Sequence, residues 1–143
     1  MFRNKIVNAM IIILLAISLL GVVALISLDI FSADGASEEP SIDDVLKYSV
    51  DFEEITTNLK SGGFIRLTIK VQTDGKKARA EIEKRDFQVQ NIVIHEISNK
   101  SATELNGGKG ITQLEEDIQE KLNEIMQDGE VVKVYATSFL LQN

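Results

Sequence analysis

The chain has no cysteine and no tryptophan, and its 143 residues include one histidine and one proline. Without cysteine there is no disulfide, no thiolate metal site and no cysteine nucleophile. A zinc or di-iron set built on His95 lacks the second imidazole it needs. No G-x-S-x-G stretch sets a serine nucleophile beside that histidine. Charge is the other scarcity: from Ala9 to Leu28 twenty residues pass without a charged side chain, and thirteen of them are Leu, Ile or Val.

Those thirteen side chains, at roughly −0.3 to −0.6 kcal/mol each, favour bilayer insertion by about 4 to 8 kcal/mol. A twenty-residue helix also matches ~30 Å of hydrocarbon. The competing interpretation is a cleaved signal peptide, whose apolar core of about 7 to 15 residues ends in a small-x-small site. Here the run is longer, and Phe31 occupies the place two residues before Ala33. An uncleaved transmembrane helix over residues 6–28 is therefore expected. Arg3 and Lys5 precede it, while Asp29, Asp34, Glu38 and Glu39 follow. The positive-inside bias then puts residues 1–5 in the cytoplasm and the rest of the chain outside. After the span come 13 basic and 22 acidic residues, a net −9, which disfavours nucleic acid and anionic lipid as partners.

Residues 29–40 (DIFSADGASEEP) are polar, hold the one proline and show no apolar period, so they form a linker. A single domain is expected over 41–143. Ser41 caps a short helix. EEITTNL and FIRLTIKVQT flank KSGG as a β-hairpin. In the second of these strands Ile65, Leu67, Ile69 and Val71 alternate with polar residues, giving one buried and one wet face. From Asp74, taken as an N-cap, the spacing predicts a helix to about Ser98. It is supported by the pairs Lys77–Glu81, Arg79–Glu83 and Glu81–Arg85, and Ala78, Ile82, Val89, Val93 and Ile97 form its core face. A glycine turn leads into a Thr112–Glu115 capping box and a last helix marked by Ile111, Leu114, Ile118, Leu122 and Ile125, with Gly129 as its C-cap. VVKVYATSFLLQ supplies a final strand. The expected fold is α+β, β-β-α-α-β, an antiparallel sheet with two main helices on one face.

On that long helix His95 sits with Lys84, Gln88 and Asn91, away from the core face, and Glu96 points about 100° from it, so the two do not chelate a metal. NGGKGIT does not place Ser or Thr directly after Gly-Lys, as a phosphate loop requires. Glu115, Glu116, Asp117, Glu120 and Glu124 lack calcium-loop spacing and form a solvated helix face. No catalytic, metal or cofactor residues are expected. Two features point to interaction instead. Lys76, Lys77, Arg79, Lys84 and Arg85 form a basic patch that is either solvated or meets an acidic partner. Ala80, Phe87 and Ile94 recur every seven residues beside Asn91 and His95, a second apolar line that meets either the last helix of the same domain or a second subunit.

The apolar anchor after MFRNKIVNAM, EITTNL ahead of FIRLTIKVQTD, RDFQVQNIVIHEISNKSATEL and the terminal VVKVYATSFLLQ together resemble the flagellar basal-body-associated FliL family over essentially the whole chain. The resemblance implies a single-pass membrane protein whose external domain is similar to the stomatin/prohibitin fold. It implies association with basal-body components and with flagellar stator units of the MotA/MotB type, a homo-oligomeric ring, a part in rotation, motility and chemotaxis, and no enzyme activity. The alternative from the residues alone is a membrane-tethered sensor domain that binds a small extracytoplasmic ligand.

Overall fold

The computed structural model describes residues 2–33 and 39–143, and the side chains of 4–27 and 39–143. The Arg3 side chain and linker residues 34–38 lie outside the described part.

Helix α1, Phe2–Ala33, stands as its own unit. Its stretch Asn4–Ser27 is long and apolar enough to cross a membrane, at about 36 Å of helix against ~30 Å of hydrocarbon. All of its described side chains are exposed. Leucines and isoleucines exposed on every side of a helix of this length are consistent with a membrane anchor.

The second unit spans Pro40–Asn143. Its elements are α2 (Ile42–Lys47), β1 (Ser49–Asp51), β2 (Ile55–Asn58), β3 (Phe64–Thr73), α3 (Lys76–Lys84), α4 (Asp86–Ser98), α5 (Gly107–Ile125) and β4 (Val131–Gln142). Ser41 caps α2, accepting from the Asp44 amide at 3.2 Å. Strand β3 is central. Along one edge it pairs antiparallel with β1 and β2 in succession, and along the other it pairs with β4 over its whole length. Its alternation is as the sequence implies: Ile65, Leu67, Ile69 and Val71 are buried against Ile82, Val89, Val93 and Ile97, and against Leu114, Ile118 and Leu122 of α5. The β2–β3 turn uses Gly62 and Gly63 at φ 88° and 80°, a left-handed pair that residues with a Cβ adopt at a cost.

The unit is thus a mixed helix and antiparallel-sheet fold, and four local expectations are corrected. First, β1 is an additional strand; three residues are too few to show a period. Second, the long helix is two. The Arg85 amide reaches both Glu81 O (3.2 Å) and Ile82 O (3.1 Å), tightening and ending α3, while the Arg85 carbonyl accepts from Gln88 and Val89 to start α4. Asp74 is not its cap, because the carboxylate instead accepts from the Glu130 amide at 3.2 Å. Third, α5 begins at Gly107, not at a Thr112–Glu115 box. Gly110 permits this: a Cβ there would collide with the Glu104 carbonyl oxygen and the Leu105 backbone. Fourth, α5 ends at Ile125 with Met126 as its C-cap, and Gly129 (φ 82°) serves the turn into β4.

Strand β4 presents Val131, Val134, Ala136, Phe139 and Leu141 to the core, in steps of three and two. Two shifts of register against β3, between Thr68 and Ile69 and between Gln72 and Thr73, account for the steps of three. Each added residue moves the pattern by one, and a bulge keeps the apolar side inward. Over Val131–Ala136 the edge of β4 turned away from β3 is closed by one stripe of α5. The Ala136 amide donates to Glu115 at 2.7 Å, Gln119 donates to the Val132 carbonyl at 2.9 Å, and Asn123 both accepts from the Val131 amide (2.7 Å) and donates to its carbonyl (2.9 Å).

Docking of α5 rests on Leu114, Ile118 and Leu122, which are buried, whereas Ile111 and Ile125 are half-buried. Ile118→Ala should cost roughly 2 to 5 kcal/mol in denaturant unfolding. A loss below about 0.5 kcal/mol would mean that α5 is not anchored by this stripe.

Candidate functional site

Helix α4 turns Val89, Val93 and Ile97 inward, which fixes what faces out. Phe87, Asn91, Ile94 and His95 stand at i, i+4, i+7 and i+8, one side of a single helix. Phe87 is 71% exposed and Ile94 39%. Asn91 and His95 are exposed beside them. Contact with α5 inside the same domain therefore does not bury Phe87. An open groove of about 480 Å³ runs beside it, lined by Phe87, Gln88, Asn91, Ile92 and Ile125. Ile92 and Ile125 enlarge the apolar surface beyond the seven-residue line. Ile92 is off that line, so the period gave no sign of it.

Ala80 does not join this surface. The break at Arg85 puts it on α3, where it lines a different groove of about 520 Å³ with Lys77, Lys84, Gln127 and Asp128.

The five basic residues are also separated by the structure. Arg79 is engaged by Glu83 at 3.1 Å and by the Lys47 carbonyl at 2.9 Å. Arg85 is engaged by Glu81 at 2.7 Å and by Gln88 at 2.7 Å. Lys76, Lys77 and Lys84 are exposed. What faces solvent is thus a lysine set, with two arginines holding the fold.

Glu81 is the structural centre of that groove. Its carboxylate accepts from the Asp128 amide at 2.6 Å and the Gln127 amide at 3.0 Å, tying α3 to the turn between α5 and β4. Lys77, its expected partner, is not bonded to it. The Asp128 amide, and behind it Arg85 and the Gln127 amide, hold the Glu81 carboxyl below its ordinary value near 4.5 against the opposing effect of burial.

Among the described residues no three His, Cys, Asp or Glu side chains converge to hold a metal. Glu115 and Asp117, expected on the solvated face, are engaged: Glu115 with the β4 edge, Asp117 with Lys100 at 2.5 Å. Glu116, Glu120 and Glu124 are exposed on α5, Glu124 accepting from Lys121 of the same helix at 2.9 Å. The surface thus offers an apolar ridge on α4, acids on α5 and lysines on α3.

Residues 49–142 match the family described as flagellar basal body-associated protein FliL. The chain belongs to the FliL family. A flagellar protein FliL of Bacillus subtilis (strain 168) is 47% identical over 116 residues, 78% of this chain and 83% of that protein. A flagellar protein FliL of Aquifex aeolicus (strain VF5) is 27% identical over 79 residues, 55% of this chain and 49% of that one. FliL proteins are flagellar accessory proteins and not a known enzyme family, so this chain has a flagellar role.

The depressed Glu81 value has a sign that can be tested. A carboxylate whose folded pKa lies below its unfolded one contributes stability that is complete above the unfolded value and is lost as pH falls through the folded value. Glu81→Gln should lower stability at neutral pH by on the order of 1 kcal/mol. It should also flatten the loss of stability on acidification through and below 4.5. Thermal unfolding across that range checks this; an acid limb identical to wild type would show that the carboxylate contributes nothing.

Proposed function

We propose that this FliL protein is a single-pass anchor with residues 1–5 in the cytoplasm, a transmembrane helix over 6–28, a linker over 29–40 and its folded domain, 41–143, outside the membrane, where several copies associate with motor stator units of the MotA/MotB type and support rotation. Arg3 and Lys5 ahead of the apolar run, with acids behind it, support the orientation. The helices packed against one antiparallel sheet support a stomatin/prohibitin-like domain. On this reading swimming, swarming and chemotaxis depend on the protein through torque.

The observation that carries the assembly is the exposure of Phe87 on a helix whose core face is already filled. A phenyl ring left in water loses roughly 1.5 to 3 kcal/mol relative to burial. A subunit contact recovers this, and in a ring one weak contact is repeated in every copy. Asn91, Ile94 and His95 extend that contact. Lys76, Lys77 and Lys84 face Glu116, Glu120 and Glu124 of a neighbour, offsetting the repulsion between acidic domains.

Phe87→Glu in the full-length membrane protein should leave the fold intact, weaken cross-linking between copies several-fold and shrink swimming halos in soft agar. Folded protein that cross-links and swims as wild type would exclude this helix as the assembly surface. Topology is checked separately. Ser41→Cys in this cysteine-free chain should react with a membrane-impermeant maleimide in cells whose inner membrane is sealed but accessible; protection until lysis would reverse the orientation.

A further inference from the structure

Strand β4 has two halves with different edges. Over Val131–Ala136 the side turned away from β3 is met by Glu115, Gln119 and Asn123. One and two turns earlier on the same stripe of α5 stand Ile111 and Gly108, which offer no hydrogen-bonding side chain. Among the described residues no side chain bonds to the backbone of Ser138–Gln142, and that segment pairs with β3 alone. Natural sheets guard such an edge with charge, proline or a bulge. Here the nearest bulge, at Thr137, lies outside the segment, and Val134–Asn143 is the longest stretch after residue 40 without an acidic or basic side chain, ten residues.

The core is also unfinished at that end. Phe139 and Leu141 face inward but remain partly exposed, while Val131 and Val134 on the same face are buried. Leu140, on the outer face opposite Arg66, is 45% exposed.

We propose that Ser138–Gln142 pairs antiparallel with the same segment of a second copy, across a two-fold axis at Leu140. The pleat makes the segment self-complementary. With Leu140 opposite Leu140, Phe139 of each copy falls opposite Leu141 of the other, all four on the inner face, and the two leucines cover each other on the outer face at about 4.5 to 5.5 Å between Cβ atoms. Charge selects a second copy for the same reason. Units carrying a net −9 beyond the anchor repel wherever acids meet, and this is the edge without acids. Five residues a side bury less than the ~1,000 Å² of a stable free dimer. The pairing therefore rests on α1 holding the copies in one membrane, which raises their effective concentration. It is a different surface from the α4 ridge.

The chain's lack of cysteine makes the test direct. Full-length Leu140→Cys and Lys133→Cys, the latter on the half of β4 closed by α5, are oxidised mildly in membranes. Leu140→Cys should give several-fold more disulfide dimer than Lys133→Cys, and should still do so in a Phe87→Glu background. Equal yields overturn the proposal, as does capture of another polypeptide, in place of a second copy, by the Leu140→Cys variant. Loss of the Leu140→Cys dimer on adding Phe87→Glu would overturn its independence from the α4 contact. Protein missing from the membrane fraction would refute the anchoring and the pairing together; membrane-bound protein without the dimer refutes the pairing alone.

Discussion

Strand β3 is bonded on both edges, and its inner face is Ile65, Leu67, Ile69 and Val71 without interruption. That face dictates the layering. The helical stripes that become apolar at a 3.6-residue period, Ala78 with Ile82, Val89 with Val93 and Ile97, and Leu114 with Ile118 and Leu122, all have one place to be buried. Once they are there, the opposite sides of α3 and α4 have no choice of direction. The outward position of Phe87 and of the α3 lysines follows from the burial of Val89 and Ile82.

Polar side chains then do what the apolar core cannot. Glu81 joins a helix to a distant turn through two backbone amides, and Glu115, Gln119 and Asn123 substitute for the strand that β4 lacks on its outer side. Both devices use side chains that a wheel plot assigns to solvent. For this reason the basic and acidic runs proved to be mixtures: Arg79, Arg85, Glu115 and Asp117 hold structure, whereas Lys76, Lys77, Lys84, Glu116, Glu120 and Glu124 remain on the surface.

Strong local periods were legible in the sequence. The alternation of β3, the stepping of α5, the hairpin turn at KSGG and the terminal strand all appear where the pattern puts them. What could not be read depends on contacts between distant segments. No proline or glycine marks the break at Arg85, which ends α3 as Glu81 engages residues 127 and 128. Three glycines at the start of α5 argue against helix by propensity, yet the backbone of residues 104 and 105 lies so close that only glycine fits at 110. The α4 ridge was visible as a seven-residue line, but its member Ala80 was lost to the same break, and Ile92 and Ile125 joined through packing alone.

The order of the strands also sets a clock. β3 finds β2 across a short glycine turn, but its longest partner, β4, waits on the far side of three helices, so that Phe64 pairs with Gln142. Closing so long a loop is slow compared with forming a hairpin. During synthesis, β3 therefore passes an interval with one edge unpaired and its apolar face incompletely covered, and the speed with which α5 delivers β4 determines how long the nascent chain is exposed to aggregation.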